Sequence, residues 1–61
     1  MSPLEFVRRN HGQSQVELER RLGLPKGSVS KFERGAARPW PAARAKLAEF
    51  FGYREDELFR D

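Results

Sequence analysis

The sequence contains no cysteine, which excludes disulfide bonds, thiolate zinc sites and cysteine nucleophiles. It has one histidine, His11, and no Gly-rich phosphate loop, His-Glu-x-x-His or Gly-x-Ser-x-Gly motif. Because the single histidine has no cysteine or second histidine with which to bind a metal, and a lone histidine at a helix end is more often solvated than catalytic, we expect no metal, no cofactor and no enzymatic activity. No apolar run approaches the roughly 18 residues of a membrane-spanning helix, so we expect a cytoplasmic protein with no membrane partner.

The chain is also short, with 61 residues. A domain of this size buries only about 60% of the surface that its unfolded chain exposes, so it supports one small core. We therefore expect a single domain over residues 1–61, with no separate effector domain and no small-molecule ligand. Met1 lies just before the first predicted helix, which favours a natural start of the protein.

Charge is distributed unevenly, although the net charge is only +3. Residues 1–19 carry a net −1, residues 20–46 carry eight cations against Glu33 alone, and residues 47–61 carry a net −3. A basic segment in so short a chain is typical of a surface that binds a polyanion. Charge alone leaves the alternative open that this is a solvated basic surface without a ligand.

Capping and stop signals divide the chain into five short helices and predict an all-α fold. Ser2 is a plausible N-cap before Pro3, and Ser14 forms a capping box with Glu17. Glycines at the ends of apolar periodic segments indicate helix ends. The predicted helices cover residues 3–10, 15–22, 26–34, 41–51 and 54–60.

The second and third helices are the most informative pair. They are about two turns each and are joined by a turn that begins at Gly23, which is typical of a helix-turn-helix over residues 15–34. Helical spacing places Val29 and Phe32 inward. The opposite face of the third helix is small, polar and cationic, and such a face fits the major groove of DNA. Its residues are Gly27, Ser30, Lys31 and Arg34, with Lys26 and Ser28 near its start.

These residues together resemble the phage-repressor and Cro-like (XRE-type) helix-turn-helix domains. The resemblance covers nearly the whole chain. It implies a compact five-helix, lambda-repressor-like DNA-binding domain. The motifs that carry it are Gly12-Gln13-Ser14-Gln15, Leu22-Gly23-Leu24, Val29-Ser30, Phe32-Glu33-Arg34-Gly35 and Phe51-Gly52.

The resemblance implies a bacterial or phage-encoded regulator of transcription that binds double-stranded DNA sequence-specifically. A repressor that occupies its operator with the third helix in the major groove is the expected form. At matching positions, Gln15 anchors the DNA backbone, the third helix meets bases, and Arg34 and Arg38 contact phosphates. The implied DNA-binding residues are Gln15, Lys26, Gly27, Ser28, Ser30, Lys31, Arg34 and Arg38.

A different class of function stays open, namely an adaptor of the same shape whose third helix binds a protein. An RNA-binding bundle is a more distant alternative. A carboxylate on the outward face of the third helix would favour the adaptor, and the helical spacing places none there.

The resemblance also implies a partly buried structural ion pair between Arg8 and Glu33, joining the first and third helices. A single small module discriminates poorly among DNA sites, so we expect a homodimer on a pseudo-palindromic operator. The resemblance implies that the region after the fourth helix forms the dimer contact, and because this patch is small we expect the dimer to be weak. The candidate dimer contacts are Phe50, Tyr53, Leu58 and Phe59. The equally weighted alternative is that these four side chains close the core.

Several positions depart from the pattern of the family. Glu19 stands where a small residue is usual, and we expect its side chain to bend outward or to pair with a cation. Pro25 replaces the frequent Ser or Thr cap of the third helix. Gln13, Arg44 and Glu55 occupy positions that are often apolar. We expect Trp40, Phe50 and Phe51 to restore the lost core volume.

Overall fold

The structure, a computed structural model, describes residues 1–59, which contain helices and no strand. This confirms the predicted all-α fold. The longest helix has 11 residues, and no helix in the described part of the chain is long and apolar enough to cross a membrane. The five helices are α1 (Pro3–Asn10), α2 (Gln15–Leu22), α3 (Ser28–Arg34), α4 (Pro41–Phe51) and α5 (Glu55–Leu58).

The first two helices begin at the predicted caps. The Ser2 hydroxyl accepts a hydrogen bond from the Glu5 amide at 3.2 Å. The Ser14 hydroxyl accepts from the Glu17 amide at 3.0 Å, and the Glu17 carboxylate accepts from the Ser14 amide at 3.2 Å. This reciprocal pair satisfies two amides that the helix itself leaves without a partner. The predicted capping box is confirmed.

The third and fifth helices differ from their predicted bounds. α3 begins at Ser28 rather than Lys26, because Gly27 has a φ of 86° and so lies in the left-handed region, outside the helix. Only glycine adopts this conformation without a steric penalty. α5 covers Glu55–Leu58. The predicted end of that helix at Arg60 lies outside the described residues.

All five helices contribute to one hydrophobic core, in which α2 packs on α3, α4 on α5, and α1 on both α3 and α5. Val29 and Phe32 are the core residues of α3, so the other side of this helix is left toward solvent. The core residues are Leu4, Val7, Leu18, Leu24, Val29, Phe32, Ala43, Leu47, Ala48, Phe51, Leu58 and Phe59.

Two of the three aromatic residues expected in the core are largely outside it. Phe51 is buried as predicted, whereas Trp40 is 43% exposed and Phe50 is also exposed. Trp40 is the N-cap residue of α4, and its ring packs edge-on against Phe32 with 5.6 Å between centroids. The indole therefore covers the rim of the core, and the prediction of a core role for Trp40 and Phe50 is wrong.

The end of the chain corrects two of the predicted dimer contacts. Leu58 is 2% exposed and Phe59 is 9% exposed, because α5 packs against α1 and α4. The Arg44 guanidinium lies over the Phe59 ring, 5.2 Å from its centroid. Leu58 and Phe59 close the core and are not available to a second subunit. Phe50 and Tyr53 remain exposed.

Candidate nucleic-acid interface

The outward side of α3 presents polar and cationic side chains. Lys31 and Arg34 are exposed, and Ser30 between them is half-buried. The Arg34 guanidinium donates to the Ser30 hydroxyl at 3.4 Å, as expected for residues one helical turn apart. The only acidic residue of α3, Glu33, is turned inward. Positive charge on this side of the helix is therefore not neutralised by a carboxylate of the same helix.

The residues before α3 are placed differently from one another. Lys26 is exposed in the turn that precedes Gly27. Ser28 is buried, and its hydroxyl donates to the Pro25 carbonyl at 2.7 Å. The side chain of Ser28 therefore closes the turn between α2 and α3 and is not presented to DNA, contrary to the base contact predicted for it.

A further cation lies just beyond the end of α3. Arg38 is exposed in the loop that connects α3 to α4. It lines an open groove of about 380 Å³ together with Arg34 and the N-terminal residues of α1. We define the basic face as Ser30, Lys31, Arg34 and Arg38. It joins the outward side of α3 to the loop that follows.

Behind the basic face, Glu33 gathers the side chains of Arg8 and Gln15. The Arg8 guanidinium forms an ion pair with the Glu33 carboxylate, with 3.2 Å between Nη2 and Oε1. The same carboxylate oxygen accepts from Nε2 of Gln15 at 2.8 Å. A second guanidinium nitrogen of Arg8 donates to the Gln13 carbonyl at 2.9 Å. The structure thus brings together the two residues predicted to form an ion pair.

This arrangement has two electrostatic consequences. The hydrogen-bonded Glu33 carboxylate raises the pKa of Arg8, so the guanidinium stays charged inside the protein. The primary amide of Gln15 carries two N–H donors, so its bond to Glu33 leaves one for another acceptor. Gln15 is also the first residue of α2, where backbone amides and the helix dipole favour an anion.

Comparison with known proteins agrees with this geometry. The helix-turn-helix family matches residues 4–58, which cover α2 to α5 and all of α1 except Pro3. The chain belongs to this family. It is 29% identical over 56 residues to an uncharacterized HTH-type transcriptional regulator of Methanocaldococcus jannaschii, an alignment that covers 92% of this chain and 85% of the relative. No solved structure matches the chain.

Family membership confirms the resemblance drawn from the motifs, and it supports a DNA-binding regulator. In this helix-turn-helix protein, α2 and α3 form the helix pair, and Gly23 lies in the turn between them. Among residues 1–59, no three His, Asp or Glu side chains converge as a metal site would require.

The sequence did not predict the role of Glu19 in the helix pair. Its side chain is buried, and Oε2 accepts hydrogen bonds from the backbone amides of Gly27 at 3.0 Å and Val29 at 3.1 Å. The expectation that Glu19 bends outward or pairs with a cation is therefore wrong. A signal was present in the sequence, because Pro25 removes the usual hydroxyl cap of α3 and leaves its first amides in need of an acceptor.

Two of the remaining departures from the family pattern are accommodated by pairing with each other. Arg44 and Glu55 stand at positions that are often apolar in the family. They form an ion pair between α4 and α5 at 3.2 Å. Phe50 packs edge-on against Phe51, with 5.0 Å between ring centroids, and His11 also packs edge-on against Phe51 at 4.9 Å. Phe50 is exposed, so these ring contacts extend to the surface.

Proposed function

We propose that this helix-turn-helix protein is a sequence-specific regulator that binds double-stranded DNA with α3 in the major groove. The observation that carries the proposal is the outward side of α3, which offers Lys31 and Arg34 while Glu33 is turned inward to Arg8. Such a surface can approach a polyanion closely and present donors to base edges. The family match and the name of the Methanocaldococcus jannaschii relative, a transcriptional regulator, support the same conclusion.

The proposed contacts divide into those that read bases and those that position the protein. Lys31 donates to guanine O6 and N7, with Ser30 beside it. Lys26 and the backbone at Gly27 complete the part of the surface that approaches the bases. Ser28 is left out because its side chain is buried.

Phosphate contacts come from both sides of α3. Arg34 and Arg38 contact phosphates of the DNA backbone at one side. At the other side, Gln15 uses the N–H that does not bond to Glu33, together with the N-terminal amides of α2. These contacts fix the register of the protein on the duplex and carry no sequence information by themselves.

Repression by occupancy is the regulatory mode that we propose. A domain bound across an operator blocks access to that DNA without a further moving part, so the DNA-binding surface is sufficient for the effect. The protein would act on the genome of a bacterium or phage, in the cytoplasm.

We propose in addition that the operator is bound by a weak homodimer. A single small module buries about 600–1,000 Å² of DNA-facing surface, which gives little discrimination among competing sites. Two copies double the base contacts and require half-sites about 34 Å apart. Phe50 and Tyr53 are exposed aromatic residues at the end of α4 that are available for the contact, and the nearby acidic residues Asp56 and Glu57 keep this end away from DNA.

Selection of bound sites from random duplexes tests the proposed function. We expect enrichment of a consensus with two-fold symmetry. Lys31→Ala serves as the matched control and is expected to give a weaker consensus at the base pairs that Lys31 reads. Absence of any enriched sequence with the wild-type protein would overturn the proposal, and capture of a protein partner through α3 would favour the adaptor instead.

A further inference from the structure

The N-terminus of α3 has no side-chain cap from its own segment. Its N-cap residue, Gly27, has no side chain, and no side-chain cap from that position is present. Pro25, two residues earlier, has no hydroxyl and uses its carbonyl to accept from Ser28. A helix begins with four amides that have no partner within the helix, so these amides need acceptors from elsewhere.

Glu19 supplies the acceptor from a different helix. It lies on α2, its side chain is 5% exposed, and a single carboxylate oxygen accepts from the amides of Gly27 and Val29. These amides are eight and ten residues away along the chain. A negative charge at this end of a helix is also favoured by the helix dipole.

A cap supplied by another helix satisfies the amides and also fixes the relative position of the two helices. A Ser or Thr at the N-cap satisfies the same kind of amide but moves with the helix that it caps. The Glu19 carboxylate is fixed to α2, so its two hydrogen bonds also set where α3 begins relative to α2. Both bonds are directional, and they weaken steeply when the helix is displaced or rotated.

We propose that Glu19 is a positioning residue for sequence recognition. By holding the amides of Gly27 and Val29, it sets the depth and rotation of α3, and hence the position of Ser30 and Lys31 against the base edges. The inference rests on the proposed function, in which α3 reads the major groove. Glu19 itself does not contact DNA, because it is buried between the two helices.

The proposal predicts that removing the Glu19 cap weakens sequence preference selectively. Hydrogen bonds to bases need donors and acceptors at about 2.7–3.2 Å, so a small displacement of α3 removes them. Phosphate contacts through long cationic side chains depend mainly on charge and tolerate such a displacement. Loss of the Glu19 cap should therefore reduce the preference for the right sequence more than the affinity for DNA in general.

Four variants separate hydrogen bonding from charge. Glu19→Ala removes the acceptor, whereas Glu19→Gln removes the charge and keeps a carbonyl oxygen that can accept both bonds. Glu49→Ala and Glu49→Gln make the same charge changes at an exposed residue of α4. The probes are the consensus duplex from site selection and a scrambled duplex of the same composition. Binding is compared at one salt concentration and at a temperature where circular dichroism shows each variant folded.

The measured quantity is the affinity for the consensus duplex divided by the affinity for the scrambled duplex. We expect this ratio to be about tenfold lower in Glu19→Ala than in Glu49→Ala. The two variants should bind the scrambled duplex with equal affinity. Glu19→Gln should keep its ratio within about threefold of Glu49→Gln. An unchanged ratio in Glu19→Ala would overturn the inference. So would an equal weakening on both duplexes, since that is the result of a purely structural role. A wild-type protein that does not discriminate the two duplexes would instead overturn the proposed function.

Amide hydrogen exchange gives a reading that does not involve DNA. The amides of Gly27 and Val29 should exchange about tenfold faster in Glu19→Ala than in wild type, and at the wild-type rate in Glu19→Gln. If Glu19→Ala does not fold, Glu19→Asp replaces it in both measurements, because its carboxylate is one methylene too short to reach both amides. Wild-type exchange rates at Gly27 and Val29 in the substituted protein would show that Glu19 does not hold α3.

Discussion

Glu33 and Arg8 form a buried ion pair that fastens α3 to α1. Because Glu33 also accepts a hydrogen bond from Gln15, one carboxylate is held by side chains from both preceding helices. Glu33 therefore links α3, which carries most of the basic face on its outward side, to the interior of the protein.

Glu33→Ala should be strongly destabilising. It leaves the buried Arg8 guanidinium without the carboxylate to which it is hydrogen-bonded, which costs about 3–5 kcal/mol in comparable pairs. That is a large part of the roughly 3–9 kcal/mol of stability typical of a chain this short. Urea denaturation followed by circular dichroism measures the loss. Arg9→Ala is the control, since the exposed Arg9–Glu5 pair should contribute less than about 1 kcal/mol. Equal losses in the two variants would contradict the assignment.

Binding to duplex DNA should weaken steeply with salt. If each protomer neutralises three or four phosphates, a bound dimer should give a slope of log K against log salt of about −5 to −7. Fluorescence anisotropy of a labelled duplex over a series of salt concentrations measures the slope. An affinity that hardly changes between low and moderate salt is incompatible with the contacts proposed for Arg34 and Arg38.

Substitutions at Lys31 and Arg38 should differ in kind. Lys31→Ala should cost about 1–3 kcal/mol of binding free energy, mainly at the base pair that Lys31 reads. Arg38→Ala should weaken binding to all sequences about equally and make the salt slope of the bound dimer shallower by about 2, because each of the two copies loses one phosphate contact. Competition binding against a set of single-substituted duplexes distinguishes the two effects. Unaltered base preference in Lys31→Ala would show that the recognition surface lies elsewhere.

The free protein should be largely monomeric at micromolar concentration and dimeric on its operator. The exposed aromatic surface at Phe50 and Tyr53 is small, and Leu58 and Phe59 add nothing to it because they are buried. Sedimentation of the free protein and of its DNA complex measures both states. Phe50→Ala should weaken operator binding while leaving the affinity for a single half-site unchanged. A one-to-one complex on an asymmetric site at saturating protein would exclude the dimer.

Glu17 should titrate below its ordinary range. The hydrogen bonds with Ser14 lower the pKa of the Glu17 carboxyl in the folded state. A lowered folded-state pKa means that the capping box adds stability above the unfolded-state pKa and loses it as the pH falls through the folded-state value. NMR titration of the Glu17 side chain measures the shift. The pKa of Glu17 should rise in Ser14→Ala, and an identical pKa in both proteins would show that the Ser14 hydroxyl is not a cause of the lowered value.

Local signals in the sequence were enough to predict most helix bounds. The Ser2 and Ser14 caps lie within three residues of the amides they satisfy, so the starts of α1 and α2 follow from spacing alone. The start of α3 could not be found this way, because its cap comes from Glu19 on another helix.

It was equally hard to predict which apolar side chains at the edge of the core are buried and which are exposed. Trp40 is as apolar as the residues of the core, and only the packing of α4 shows that its ring lies at the edge. For Leu58 and Phe59, the sequence allowed both a core and a dimer role, and the docking of α5 decides between them. In each case the deciding contact joins residues from different helices.

Different residues of α3 face the core and the outward side, and this affects how the DNA targets of such a protein can change in evolution. Ser28, Val29, Phe32 and Glu33 are committed to the turn, the core and the ion pair, while Ser30, Lys31 and Arg34 make no contact that the core depends on. Mutations at these three positions can accumulate in duplicated copies without loss of the scaffold. A lineage can thus acquire new targets through a few surface substitutions, each tolerated individually because stability and target choice are encoded by different residues of one helix.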